Sequence, residues 1–392
     1  MIKILTFSTL FPNTVRPNHG VFVETRLRHL VASGEVSARV LAPIPWFPSS
    51  HPRFGEYAKF ANAPRTEVRF GLQVDHPRYF LLPKVGMNVA PLLLALSAKR
   101  AIKRMLAAGE DFDLIDAHYF YPDGVAAVLL GRWFNKPVVI TARGSDLNLL
   151  PSYRIPRKWI QWASRRADGL ITVSGALKHI LVQLGAAPAK VTMLRNGVDL
   201  VQFQPTDRVQ TRRELNLDGF VLLSVGNLIP LKGHDLAIRA LATLPGTTLL
   251  LAGSGPEERS LQNLAEALGV SERVRFLGTL PQDKLCTYYG AADVLVLASS
   301  REGWANVLLE SMACGTPVIA TAVGGSAEVV AAPEAGVLMA ARSNEALLQA
   351  IAQLRANYPD HTATRQYAAR FSWDDTTTGQ LKLFRTILAR QT

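Results

Sequence analysis

The chain has almost no cysteine. Cys286 and Cys314 are the only two in 392 residues, which supplies neither a disulfide framework nor a thiolate metal set and fits a reducing compartment. Long apolar runs are also missing. The N-terminal "MIKILTFSTLFPN" stops short of the roughly 7 to 15 apolar residues of a secretory core with its small-residue cleavage site. The most apolar window, residues 79–100, is interrupted by Pro83, Lys84, Gly86, Asn88 and Pro91, short of the roughly 20 unbroken apolar residues of a spanning helix. Neither export nor a membrane span is expected, and a cytoplasmic location is the default. The chain shows no helix-turn-helix signature, zinc-finger spacing or aromatic RNP-like strand, so nucleic acid is not an expected partner. It shows no short-period repeat and no low-complexity segment. A dinucleotide-dependent oxidoreductase would need Gly-x-Gly-x-x-Gly after a strand, and "GSGPEE" has no third glycine.

Acidic residues are scarce in one half only. Residues 1–200 hold 26 Lys and Arg against 13 Asp and Glu, a balance of +13, while residues 201–392 hold 17 against 18, a balance of −1. A one-sided basic excess points to polyanions, anionic lipid headgroups or acidic substrates. "SAKRAIKRML" (97–106) and "SYRIPRKWIQWASRR" (152–166) mix cations with Leu, Ile, Met and Trp at helical spacing. That pattern describes either a helix lying on a membrane surface or a solvated helix whose apolar side faces a core.

What is present is core material. The 48% hydrophobic content and the length suit two domains. Short β-branched or Leu-rich runs alternate with helical patterns. "IKILTFS", "ARVLAPI", "DLIDAHY", "PVVITAR" and "GLITVS" read as buried strands in the first half, and "FVLLSVG", "TTLLLAG", "VRFLG", "DVLVLAS" and "TPVIAT" in the second. Continuous apolar runs belong to parallel sheets covered on both faces, so the expected fold is α/β with two doubly wound sheets. The break falls near 196–219, where Gly, Asn, Asp and Pro interrupt the pattern. The expected domains are 1–205 and 206–374. After Ser372, an N-cap candidate, an amphipathic helix closes the chain.

Open α/β sheets bind ligands beyond the carboxyl ends of their strands. Several candidate residues fall there. A strand ending at Gly226 leads through Lys232 and Gly233 into a helix, one ending at Gly253 leads through Gly255 and Pro256 into another, and "DVLVLAS" leads through Glu302 into a helix predicted to start at Trp304 or Ala305. Helix N-termini and one Lys form a pocket for a phosphate or diphosphate. Glu302 and Glu310, eight positions apart, would be repelled by a diphosphate at contact distance. They should face neutral, hydroxyl-rich parts of the ligand, where carboxylates accept strong hydrogen bonds. A nucleoside-diphosphate sugar has such parts at both ends. Alone, Glu302 also fits a helix-entry carboxylate worth roughly 0.3 to 1 kcal/mol, whereas Glu310 inside "NVLLESMACGTPV" would be buried and needs a partner.

"REGWANVLLESMACGTPVIAT" (301–321) resembles the Glu-x7-Glu signature of retaining glycosyltransferases of family 4, which have the GT-B fold of two Rossmann-like domains facing across a cleft. The resemblance extends over nearly the whole chain, through "RPNHGVFVETRLRHL", "DLIDAHYFYPDG", "VVITARGSDLN", "ITVSGALKHIL", "RNGVDLVQF", "SVGNLIPLKGHDLAIRAL", "LLLAGSGPEE", "VRFLGTLPQDKL" and "FSWDD". "HYFYPDGVAAVLLG", "TARGSDLN" and "EGWANVLLE" are similar to a bacterial branch that assembles cell-surface polysaccharides, the teichuronic acid glycosyltransferases among them.

The resemblance implies roles. Glu302 contacts the donor sugar hydroxyls, with the backbone of Gly303 and Trp304 nearby, and Glu310 holds the ribose. Lys232 binds the diphosphate, with Gly233 at the adjoining helix start and the backbone of Gly20 joining across the cleft. His118 sits beside the reacting carbon, Asp146 organises that wall, and Thr279 and Leu280 approach the base through their backbone. Without the resemblance, His118 reads as a satisfied strand-end histidine. Family members usually carry an Arg five residues before the Lys; here that place is Asn227, which has neither the charge nor the forked donors of a guanidinium. Either Arg143 or Arg195 compensates, or leaving-group stabilisation is weaker. The expected reaction is metal-independent and needs no cofactor, using a UDP- or GDP-sugar as substrate, with front-face attack and retention. "DFD" (111–113) mimics a metal-binding Asp-x-Asp but precedes a strand at its N-terminal end, away from the expected site. The expected acceptor is lipid-linked or a glycan, taken by the basic first domain, on which the helix at about 375–392 packs back. Peripheral contact with the anionic inner face of a plasma membrane is expected. A non-hydrolysing sugar-nucleotide epimerase and a non-catalytic lipid-binding relative are the alternatives.

Overall fold

Runs of Val, Ile and Leu with no polar alternation cannot leave a face in water, and here they form strands covered on both sides. Leu114–His118, Val138–Ala142 and Gly169–Thr172 are buried at every position, as are Val294–Leu297 and Val318–Thr321. The computed structural model describes residues 1–81 and 86–390. These divide into two units, one of Met1–Arg195 with Trp373–Thr392 and one of Asn196–Ser372.

In the first unit eight strands lie in the order Val191–Met193, Gly169–Thr172, Val138–Ala142, Leu114–His118, Ile2–Phe7, Val36–Leu41, Leu72–Asp75, Thr66–Arg69. Neighbours are parallel up to Leu72–Asp75, with which the outermost strand pairs antiparallel. The chain starts in the middle, at Ile2–Phe7, winds outward one way, then returns to Leu114–His118 and winds the other way. In the second unit the order is Val274–Gly278, Thr247–Ala252, Phe220–Val225, Val294–Leu297, Val318–Thr321, Gly336–Met339, all parallel. Its winding reverses between Phe220–Val225 and Val294–Leu297. At each reversal neighbouring strands send their crossovers to opposite faces, the place where open α/β sheets bind ligands at the carboxyl edge.

The ten expected strands all form. Among the described residues six others escape the sequence pattern: Val191–Met193, Leu72–Asp75, Thr66–Arg69 and Gly336–Met339 in the two large sheets, and the two-residue strands Ile44–Pro45 and Arg78–Tyr79, which pair with each other. All lie at or next to a sheet edge, and Thr66–Arg69 alternates exposed with half-buried residues, which reads locally as loop. The helix Gly86–Ala107 carries Pro91 inside it, so Gly86, Asn88 and Pro91 do not interrupt it, while Pro83 and Lys84 lie outside the described residues. Among those residues no helix is long and apolar enough to cross a membrane.

The unit boundary falls at Asn196, earlier than the expected 206, because residues 196–205 bond into the second unit. Val198 N–H donates to the Phe371 carbonyl at 3.0 Å, and Arg365 donates to the Leu200 and Phe203 carbonyls. The last helix, Trp373–Leu388, begins two residues ahead of the expected 375, with Trp373 stacked on His29, ring centroids 5.4 Å apart. It belongs to the first unit, where Leu381, Phe384 and Ile387 join a core with Leu114, Val139 and Ile171. Phe384 is fully buried, so Phe384→Ala should lower stability by about 3 to 5 kcal/mol. Chemical denaturation of the full chain checks this; a loss under about 1 kcal/mol would show that the helix does not help hold this core.

Candidate active site

At the reversal in the second unit, the strand Phe220–Val225 runs into a short turn, Pro230–Lys232, and then the helix His234–Leu241. Gly233 joins turn to helix with φ of 70°, and a Cβ there would lie 2.3 Å from the Ala298 carbonyl oxygen. Only glycine lets these two loops approach so closely. Ser300 N–H donates to the Leu231 carbonyl at 2.8 Å. Arg342 spans the same gap, donating to the Ala298 carbonyl at 2.8 Å and the Pro230 carbonyl at 2.9 Å. These bonds bring Lys232 Nζ to 2.6 Å from Glu302 Oε1, both side chains largely buried. The Glu302 backbone is fixed in turn by Gly324, whose Cβ position lies 1.8 Å from the Glu302 carbonyl oxygen, and Gly325 N–H donates to the Gly303 carbonyl at 3.2 Å.

The helix that follows spans Asn306–Ala313, with Ala305 as its cap, so it starts later than the predicted Trp304 or Ala305. Trp304 is buried, its ring 6.0 Å from that of Phe371. Glu310 lies in this helix, and the partner its burial requires is Tyr289, whose hydroxyl donates to it at 2.9 Å. Burial pushes the Glu310 carboxyl up to about 7, with the Tyr289 bond pulling the other way. Thr279 and Leu280 follow the strand Val274–Gly278 at the same carboxyl edge. The Thr279 hydroxyl bonds to that of Ser254 at 2.8 Å. Asn227 follows the strand Phe220–Val225 with an exposed side chain, while its carbonyl accepts from Ile229 N–H at 2.9 Å.

At the reversal in the first unit, His118 ends its strand and is buried. Both ring nitrogens are engaged: Nδ1 lies 2.5 Å from an Arg143 guanidinium nitrogen, and Nε2 lies 3.2 Å from Asp116 Oδ2. Arg143 can only donate, so Nδ1 accepts and Nε2 carries the proton toward Asp116. Burial outweighs the pull of Asp116 and holds the imidazole pKa down to about 4, with Arg143 adding to the fall. Asp116 Oδ2 also accepts from Gln380 at 2.8 Å, and Gln380 accepts from Arg26 Nε at 2.9 Å. A chain of buried polar groups thus runs from the last helix to His118. Asp146 is buried and accepts backbone N–H groups of Phe120, Arg143 and Gly144 at 2.7, 3.0 and 2.6 Å. Tyr119 beside them has φ of 83°, a strain that clusters at functional sites. Gly20 caps the helix Val21–Ala32 in the left-handed conformation.

The structure brings Lys232, Gly233, Glu302 and Gly303 together in one unit, and His118, Arg143 and Asp146 together in the other. Arg143, one of the two cations considered as a stand-in for the missing Arg at Asn227, is committed to the His118 ring. Asp111 and Asp113 take up structural contacts, Asp111 with Lys136 at 2.8 Å and Asp113 with the Lys3 N–H at 2.7 Å. Among the described residues no group of three or more His, Cys, Asp and Glu converges as a metal cage. Sequence reasoning missed Tyr289, Arg342, Gln380 and Asp123. The last is a buried carboxylate accepting the Thr9 N–H at 2.8 Å and its hydroxyl at 2.9 Å. Only the "YPDG" turn could have flagged it.

Two parallel sheets, each with polar groups at its reversal point, define an α/β enzyme of the GT-B class. Residues 27–202 match the family model Glycosyltransferase Family 4, and residues 206–371 match Glycosyl transferases group 1. The chain belongs to this glycosyltransferase family. It is 35% identical over 71% of its length to a D-inositol 3-phosphate glycosyltransferase of Acidothermus cellulolyticus, covering 68% of that protein. Its identity with the protein of that name in Mycobacteroides abscessus is 38% over 68% of its length, and there it spans 64% of the relative, somewhat under two thirds. Among solved structures it resembles sucrose-phosphate synthase of Thermosynechococcus elongatus (TM-score 0.79, 21% identity, 100% of both chains). It also resembles HepE of Anabaena in complex with UDP and glucose (0.74, 20%, 98% of this chain and 100% of that one) and WaaG, a glycosyltransferase of lipopolysaccharide biosynthesis (0.71, 18%, 98% and 99%). These likenesses establish the fold.

Two measurements test the first unit's polar groups. Gln380→Leu leaves Arg26 and Asp116 each short of a partner and should cost about 1 to 3 kcal/mol, read by chemical denaturation; no loss would mean that these groups are satisfied without it. Burial raises the Asp123 carboxyl from 3.8 to about 7. A raised folded-state pKa gives stability that is full below the unfolded value and is lost as pH climbs through the folded one. Asp123→Asn cannot ionise, so between pH about 4 and about 7 the stability difference should move by about 1 kcal/mol or more in the variant's favour. Parallel stability curves for the two proteins over that range would contradict the shift.

Proposed function

We propose that the protein is a retaining, metal-independent glycosyltransferase that moves a sugar from a UDP- or GDP-sugar to a lipid-linked or glycan acceptor in bacterial surface polysaccharide synthesis. The observation that carries this reading is the Lys232–Glu302 pair, 2.6 Å apart at the reversal point of the second sheet. Lys232 takes the diphosphate, beside the helix that starts after Gly233, and Glu302 is released to accept hydrogen bonds from the donor sugar. Glu310 takes the ribose hydroxyls. As the anomeric C–O bond breaks, negative charge builds on the departing diphosphate. A fixed ammonium and fixed helix-start amides stabilise that charge without reorganising, which is often the largest catalytic contribution. The leaving phosphate accepts the acceptor's proton on the same face, giving retention.

His118 has both nitrogens occupied, so its part is to shape the wall beside the reacting carbon rather than to shuttle a proton, and Asp146 holds that wall through three backbone bonds. Gly20, Gly303, Trp304, Thr279 and Leu280 serve the donor through their backbone. Asn227 leaves the diphosphate with one cation fewer than the family resemblance implies. The acceptor lies at the inner face of an anionic membrane, which the protein meets peripherally from the cytoplasm. A second reading, a phosphorylated cyclitol acceptor, is favoured by the names of the relatives at 33 to 38% identity. An anionic acceptor of either kind suits the basic first 200 residues.

Thermal stabilisation by a panel of activated sugars finds the donor, and transfer to a lipid-diphosphate-linked sugar and to D-inositol 3-phosphate in parallel finds the acceptor. Donor incubated alone should yield no epimer. Lys232→Ala and Glu302→Gln should each lower transfer at least about tenfold, roughly 1.4 kcal/mol of barrier, with the melting temperature of the free protein within a few degrees of wild type. Unchanged turnover in either variant removes that residue from the site.

A further inference from the structure

A groove of about 1340 Å³ in the first unit lies away from both reversal points, between residues 75–80 and the helix Gly86–Ala107. Its lining holds seven basic side chains and two acidic ones. Both acids are already spent, since Asp75 and Glu110 pair with Arg39. Arg65, Arg78, Arg100, Lys103 and Arg104 have no ion pair among the described residues. Lys99 lies over the Trp133 ring at 4.5 Å. Arg78 donates one guanidinium nitrogen to the Ala63 carbonyl, while the other, Nη1, is buried with no partner among the described residues. Burial and the neighbouring Arg65 both push its pKa down, the opposite of what a bound anion would do. Cations crowded together without counter-charge destabilise the free protein, so an outside anion is the missing partner.

The rim says which kind. Phe80 is 61% exposed, Leu96 54% and Trp46 48%, with the Trp46 and Phe80 rings 5.3 Å apart. Leu92, Leu96, Arg100 and Arg104 follow at four-residue spacing along one exposed stripe of the helix, so apolar side chains give way to cations along a single line. A soluble phosphate ester would satisfy the cations and leave these apolar groups in water. A nucleic acid would stack on the rings but gain nothing from exposed leucines. A bilayer satisfies both, with headgroup phosphates on the cations and aromatic and aliphatic groups at the acyl boundary.

We infer that this groove and the stripe beside it are the surface by which the protein docks on an anionic phospholipid bilayer. The inference rests on the peripheral contact proposed above and assigns it to this surface rather than to the helix Arg154–Arg166. On that second basic helix Pro156, Ile160 and Ala163 are buried, and Arg166 covers Trp162 at 4.9 Å.

The full-length protein should co-sediment with phosphatidylglycerol-containing vesicles, release with rising salt, and ignore pure phosphatidylcholine. Reversing Arg100→Glu, Lys103→Glu and Arg104→Glu together should lower the partition coefficient at least about a hundredfold, from about tenfold or less per cation near an anionic surface. Phe80→Ser with Leu96→Ser should lower it about tenfold. Both variants should melt no lower than wild type, the charge reversal relieving the crowded cations, and should keep the rise with sugar nucleotide, and Arg154→Glu with Arg157→Glu and Lys158→Glu should bind vesicles normally. Wild-type protein that ignores anionic vesicles, groove variants that bind like wild type, or loss confined to the 154–158 variant would each overturn the assignment. So would inorganic pyrophosphate stabilising the wild type through the groove without vesicle binding, which would mark a soluble-phosphate site. Sugar-nucleotide stabilisation is read separately, so a failed docking surface leaves the transferase reading standing, and the reverse also holds.

Discussion

The constraint on which the rest depends is the reversal of winding in each parallel sheet. A parallel sheet must be covered on both faces, so every strand is followed by a crossover to one side or the other. Where the direction changes, two neighbouring strands send their crossovers to opposite faces, and ligands bind at the carboxyl edge there. In the second unit those strands are Phe220–Val225 and Val294–Leu297. Lys232 leaves from one and Glu302 from the other. Strand order makes the two loops neighbours, and they are drawn together by the Ser300 N–H on the Leu231 carbonyl and by the Arg342 guanidinium on the Ala298 and Pro230 carbonyls. Gly233 and Gly324 permit an approach that any side chain would block.

The first unit repeats the geometry with a different filling. Here the carboxyl edge is occupied by buried polar groups bonded to one another, with Asp116 Oδ1 and Arg26 Nη2 left without a hydrogen-bond partner among the described residues. Gln380, Asp116, His118 and Arg143 form one connected set, Asp146 collects three backbone N–H groups, and Asp123 takes the Thr9 N–H and hydroxyl. The bonds such a buried set makes stiffen it, while each atom left without a partner costs stability. It fixes the shape of the wall. The protein thus has one unit with a salt-bridged, largely buried pair at its carboxyl edge and another with a buried neutral histidine there.

Much of this was legible in the chain. Nine inner strands were readable because burial on both faces leaves apolar runs, and the edge strand Val274–Gly278 was read with them. Lys232 and Glu302 were expected at carboxyl ends and Glu310 was expected to be buried with a partner, and the structure pairs Lys232 with Glu302 and Tyr289 with Glu310. The other outer strands were not, since half-exposed strands lose the apolar signature. The boundary at Asn196 was hidden because residues 196–205 look like a linker, while Arg365 and Phe371, far along the chain, bind them to the second unit.

By itself the sequence determined periodicity, and with it the fold class, the two sheets and the residue types available at their carboxyl ends. Only the tertiary structure decided pairing. Tyr289 meets Glu310, Gln380 reaches Asp116 across 264 residues, and seven cations gather on one groove. Hydrophobic pattern is a property of neighbours along the chain, whereas the partner of a buried charge is set by which strands lie side by side and where a distant helix returns.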